Sequence, residues 1–288
     1  MAQARAGATT QHSMHAAALV LLLGLWAIAA NASQAPERIV TLAPHLTELA
    51  FDAGLGDQLV GVVAYSDYPR EAQALPEIGD AFRFDLETLL RLDTQLALAW
   101  AGGTPISVID RIRALGIEVA VIRTRTLDDI PAALRTLAEY SHQPDLGEQA
   151  AGALAAALQA RRDQVPEARG SVFYQVSERP LFTLGGRHVI SEVMSLCGLE
   201  NLFESLDSEA AAVDLEAVLA RQPDWVVIGH ERSERNSEPS PSGFWTARGI
   251  NAERILVVDP TLLIRPTARI LEGIDELCAL TAGKERPR

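Results

Sequence analysis

Residues 145–165 read DLGEQAAGALAAALQARRDQV, and this stretch limits the possible folds more than any other. Leu146, Ala150, Ala153, Leu154, Ala157, Leu158 and Val165 recur at the spacing of one helix face. Asp145, after Pro144, is placed to cap the N-terminus, with Glu148 three residues on to complete a capping box. Pro166 ends the run. At 1.5 Å rise per residue the helix spans roughly 30 Å, about the width of a small domain. On each side lies a block in which strand-like and helix-like segments alternate. A long helix within one α/β domain fits this pattern. So does a rigid rod that holds two α/β lobes on either side of a cleft, and the alternation on both flanks favours the rod.

The chain opens on a removable segment. Arg5 supplies a weak positive region, Ala16 to Ala30 is apolar but short and poorly flanked for a membrane span, and Ala30-Asn31-Ala32 is a small-residue cleavage site. Residues 1–32 are read as a signal peptide cleaved near Ala32, with an N-terminal anchor as the alternative. No cysteine lies near the cleavage site, so a periplasmic location is expected. The formal net charge of -13 becomes one unit more negative when Arg5 is lost, which argues against nucleic acid and anionic lipid as partners. The two cysteines, Cys197 and Cys278, suggest one disulfide in an oxidising compartment, with two buried thiols as the alternative.

The first block alternates strand and helix. Strands are expected at 38–42, 59–63, 96–100 and 118–123. Helices are expected at 48–53 (capped by Thr47), 85–92, 105–115 and 127–140. Such alternation gives a mostly parallel sheet whose ligand crevice lies beyond the strands' carboxyl ends. Loops after Leu42, Val63 and Trp100 occupy those ends and carry Pro44, His45, Tyr65 and Trp100. Aromatic residues there favour a large, flat, partly apolar ligand. In the second block, strands are expected at 171–176, 225–228 and 255–259, and helices at 189–196, 214–220 and 267–280. The segment 179–183, with Phe182, is expected as a loop. So is 201–212, and the Pro/Ser-rich run 233–243 is expected at the surface.

The stretches RIVTLAPHLTELAFDAG (38–54), VGVVAYSDYP (60–69), LAWAGG (98–103) and SHQPDLGEQAA (141–151) closely resemble the periplasmic vitamin B12 receptors of ABC importers. The resemblance continues into the second block. It implies the helical-backbone (class III) solute receptors: two Rossmann-like α/β lobes, 33–142 and 167–288, joined by a single long rigid helix within 143–166, with the ligand cleft between them. It further implies a monomer that binds cobalamin or another corrinoid as transported ligand rather than cofactor. Its partner would be an inner-membrane permease dimer with its ATPase. By position Tyr65, Trp100 and Phe182 match cleft aromatics of the family. Two family tryptophans are missing, at Ala81 and about Ala210, with Phe82 and Phe84 near the first. That departure keeps haem or a ferric siderophore open as the ligand. Glu87 and Glu216, each at the start of a helix, match acids that pair with permease arginines. The alternative is that both are ordinary first-turn acids. Cys197 and Cys278 match the family's disulfide pair.

Enzymatic chemistry finds no support. There is no GxxxxGK[ST] phosphate loop, no GxSxG elbow and no CxxC. The histidines outside the leader are His45, His142, His188 and His230, with no close pair, so no metal site is expected. His45 is retained as a possible axial ligand to a macrocycle metal, against the commoner role of hydrogen-bonding wall.

Overall fold

The computed structural model describes residues 35–80, 83–230 and 242–284. The signal-peptide reading, Phe82, Ala81 and most of the run 233–243 lie outside them.

The first lobe begins with β1 (Ile39–Thr41), α1 (Pro44–Asp52) and β2 (Leu59–Gly61). It continues through α2 (Leu86–Arg91), β3 (Leu96–Trp100), α3 (Ile106–Ala114), β4 (Glu118–Ile122) and α4 (Asp129–Ala138). Its sheet runs β2-β1-β3-β4, all parallel. The long helix α5 (Pro144–Arg162) follows. The second lobe starts with β5 (Gly170–Gln175), β6 (Ser177–Glu178), β7 (Leu181–Leu184), α6 (Val189–Leu196) and β8 (Leu199–Asn201). Then come β9 (Ala210–Ala212), α7 (Leu215–Ala220), β10 (Trp225–Gly229), α8 (Gly243–Thr246), β11 (Ile255–Val258), α9 (Pro260–Leu263) and α10 (Ile270–Thr281). Its parallel sheet runs β11-β10-β5-β8, and β6-β7-β9 form a small antiparallel sheet.

Read in chain order the two parallel sheets share one topology, since β5, β8, β10 and β11 stand where β1, β2, β3 and β4 do. The sequence carries a trace of this repeat. Asp85-Leu86-Glu87 and Asp214-Leu215-Glu216 open two helices of 6 residues each, and the positive-φ residues Asp93 and Gln222 stand at matching places before β3 and β10.

The strands β1, β3 and β10 are buried almost without a break, as parallel sheets covered on two sides require. Ile39, Leu96, Leu98, Ala120 and Ile122 face a core that also holds Leu134, Leu137, Ala151, Leu154 and Leu158. That same core takes Val172, Tyr174, Val193, Leu196, Ile274 and Leu277 from the second lobe, so it runs unbroken through α5. The opposite sheet faces pack into separate clusters. One is built on Val40, Ala97, Leu89 and Ile112, the other on Phe173, Val226, Val218 and Trp245.

Several expectations need correction. The residues 43–46, expected in the loop after Leu42, form the N-terminus of α1, because Pro44 occupies the first helical turn with its fixed φ. Thr47 is therefore inside the helix and caps nothing. Its hydroxyl instead meets the hydroxyls of Thr41 at 2.6 Å and Ser66 at 3.0 Å. Helix α5 starts at Pro144 with Gln143 as N-cap, so Asp145 sits in the first turn and forms no capping box. It ends at Arg162, short of Pro166. Its buried stripe is Gly147, Ala151, Leu154 and Leu158, whereas Leu146 and Val165 are exposed. The segments expected as loops at 179–183 and 201–212 contribute β7, β8 and β9. Cys197 and Cys278 form a disulfide that ties the end of α6 to α10.

Candidate cleft between the lobes

The carboxyl ends of β1, β2, β3 and β4 deliver His45, Tyr65, Trp100 and Thr124 to one edge of the first sheet. His45 is 5% exposed, and its ring meets Trp100 edge-on at 5.0 Å between centroids. Its Nε2 lies 3.5 Å from the Thr124 hydroxyl. Burial, and next the positive charge of Arg265, push the imidazole down to about 3, so it stays neutral at working pH. Trp100 is clamped from behind. Gly102 and Gly103 fold against its indole so closely that a Cβ on Gly103 would lie 2.1 Å from the ring. Its Nε1 is buried with no hydrogen-bond partner among the described residues.

Tyr65 is 79% exposed and held at φ 66, a region that non-glycine residues seldom occupy. The hold comes from the other lobe. The Arg265 guanidinium, between α9 and α10, donates to the Tyr65 carbonyl at 3.1 Å, to Asp67 at 2.5 Å and to Glu48 at 3.1 Å. Arg269 grips the same Glu48 carboxylate in a bidentate pair at 2.9 and 2.7 Å and covers the Tyr68 ring at 4.2 Å. The Glu48 side chain is only 1% exposed. Below it Asp52 is raised to about 6, by burial first and by Glu48 second, against the pull of Arg269. Sequence reading missed this clasp because its partners lie 217 and 221 residues apart. The one available signal was an acid, Glu48, inside a buried helix face.

A second set of inter-lobe contacts lies at the β4 flank. Arg125 pairs with Glu209 at 2.6 Å, and the Leu127 amide donates to Glu192 at 3.2 Å. Helix α5 is anchored to both lobes at its C-terminal end. Arg162 reaches Asp128 at 2.9 Å, and Arg161 makes a bidentate pair with Asp275 at 3.0 and 2.6 Å.

The structure thus brings His45 and Trp100 into contact, with Pro44 half-buried beside them. Tyr65 projects at the rim. Phe182 is half-buried on β7, in register with Ala212, so the missing tryptophan near Ala210 leaves a strand of three alanines beside it. Phe84 packs against the outer core cluster of the first lobe. Glu87 and Glu216 are exposed, each in the first turn of its short helix. Among the described residues no three His, Cys, Asp or Glu side chains gather as a metal site. No described helix is long and apolar enough to cross a membrane.

The periplasmic binding protein family model matches residues 39–240, across both parallel sheets. The chain belongs to that family. Among curated relatives, the vitamin B12-binding protein of Yersinia pseudotuberculosis is 35% identical over 272 residues, covering 94% of each chain. That of Vibrio campbellii is 33% identical over 248 residues, covering 84% of this chain and 88% of the relative. Of solved structures, the periplasmic vitamin B12 binding protein BtuF of Vibrio cholerae matches with TM-score 0.76 and 35% identity, covering 85% of this chain and 96% of that one. The periplasmic heme-binding protein RhuT from Roseiflexus sp. RS-1, at 24% identity and TM-score 0.72, shares the fold over 85% of this chain and 97% of its own.

Proposed function

We propose that the chain is a periplasmic receptor that captures cobalamin or a related corrinoid in the inter-lobe cleft and delivers it to an inner-membrane ABC permease. The observation that carries this reading is the 35% identity to vitamin B12-binding proteins along nearly the whole chain. In this reading Pro44, His45, Tyr65, Trp100 and Phe182 border the ligand, and Phe82 joins them. His45 serves as a neutral wall rather than an axial ligand, since its Nε2 is turned to Thr124. The lobes are 33–142 and 167–288, α5 is a rigid spacer, and residues 1–32 are removed at export. The protein acts as a monomer and catalyses nothing. Glu87 and Glu216 meet basic residues of a permease dimer.

Calorimetry with cyanocobalamin and cobinamide tests the ligand. One molecule per chain should bind at micromolar affinity or tighter. Haem or a ferric chelate is the second reading, favoured by the low wall that Ala210–Ala212 leaves beside Phe182. Binding of haem or a ferric chelate with no binding of either corrinoid would install it.

A further inference from the structure

A cavity of about 390 Å³ opens between the lobes at the β4 flank, lined by Arg123, Arg125 and Asp129 from the first lobe and Gly186, Arg187 and Glu192 from the second. Three guanidinium groups at one inter-lobe cavity stand out in a chain of net charge -13. The carboxylates there already have partners. Asp129 accepts the amides of Arg125 at 2.8 Å and Thr126 at 3.1 Å, and Glu192 accepts that of Leu127. Arg125 is committed to Glu209. Arg123 is exposed and makes no ion pair with any described residue. Arg187 pairs with Asp207 at 3.5 Å, open to solvent. The turn that presents Arg187 is fixed. A Cβ on Gly185 or Gly186 would come within 2.1 Å of the Ser208 carbonyl or 2.4 Å of the Glu204 carbonyl. Two exposed guanidinium groups, one per lobe, Arg123 without an ion pair and Arg187 in a long solvent-open one, suit a phosphate or carboxylate, which arginine binds with two parallel hydrogen bonds.

We infer that this cavity is an anion subsite of the cleft, with Arg123 and Arg187 receiving an acidic group on the periphery of the cargo. The inference rests on the corrinoid reading and gives it a preference for corrinoids that carry a phosphate or free carboxylate.

The test compares cobinamide with cobinamide phosphate by calorimetry, on the mature protein and on the Arg123→Gln/Arg187→Gln double variant. Both side chains are exposed, so the variant should fold normally. The phosphate form should bind the unaltered protein about tenfold more tightly. That advantage should vanish in the variant, while cobinamide affinity is unchanged. Equal affinities in the unaltered protein, or an advantage that survives in the variant, overturn the subsite and leave the corrinoid reading standing. Saturable binding of inorganic phosphate alone, with no preference between the two corrinoids, assigns the cavity to the free ion and also overturns it. If neither corrinoid binds, the cargo reading fails. The subsite is then judged on haem against its dimethyl ester, where a preference for free carboxylates lost in the variant supports it and any other result refutes it.

Discussion

Glu48 holds two arginines of the other lobe while almost wholly buried. Removing one partner of a buried ionic cluster costs far more than the cluster contributes, because the remaining charges stay desolvated. Glu48→Gln should therefore destabilise the protein by about 3 kcal/mol in urea unfolding. The two titrating neighbours pull in opposite directions with pH. Asp52, raised from 3.8 to about 6, is penalised in the fold once ionised, so its effect is a loss of stability as pH climbs from about 4 through 6. His45, lowered from 6.5 to about 3, is penalised once charged, so stability is lost as pH falls below 6.5. Asp52→Asn should raise stability at pH 7–8 by about 1–2 kcal/mol, allowing for partial exposure, with the gain gone below pH 4. His45→Gln should flatten the acid limb of the same melting-temperature profile. A gain for Asp52→Asn that does not depend on pH would mean its ionisation is not responsible. At this scale the sequence displayed His45, Tyr65 and Trp100 by their places after strands. It concealed the clasp around Glu48, since an ion pair between distant segments leaves no periodic mark.

Helix α5 was legible because a 19-residue run imposes its spacing regardless of context. Its buried stripe was not, because alanine reads alike on either face and Gly147 carries no apolar signal. Yet Gly147 packs directly against α4, and a Cβ there would lie 2.6 Å from the Ala138 Cβ. Gly152, five residues on, is exposed with nothing within 4 Å. The same substitution should thus have opposite signs. Gly152→Ala should stabilise by about 0.5–1 kcal/mol through helix propensity. Gly147→Ala should destabilise by about 1–3 kcal/mol as the packed backbones are forced apart. Two stabilising results in denaturant melts would show that α5 is not tightly seated on α4. The strands β7, β8 and β9 escaped notice for a related reason. Phe182 and Asn201 stand beside prolines, glycines and alanines whose composition signals a loop, and only cross-strand pairing makes them strands.

At the scale of the molecule, the two-lobed α/β class was readable from the alternation on either side of one helix, while the continuity of the core through α5 and the repeated topology emerged only in three dimensions. The repeat bears on docking. Glu87 and Glu216 stand at equivalent, exposed places on α2 and α7. Glu87→Lys and Glu216→Lys should each weaken capture by permease-containing vesicles about tenfold at low salt, less at high salt, and leave corrinoid affinity unchanged. Undiminished capture by both variants would make these acids plain helix starts. In the docking proposed above, the repeat sets one acid of each lobe toward a two-fold partner. Such a partner, by its own symmetry, would accept the receptor in either of two orientations, a degeneracy of two that favours encounter by RT ln 2, about 0.4 kcal/mol. The cargo has no such symmetry, so in this proposed docking the translocation pathway would receive it in two opposite headings.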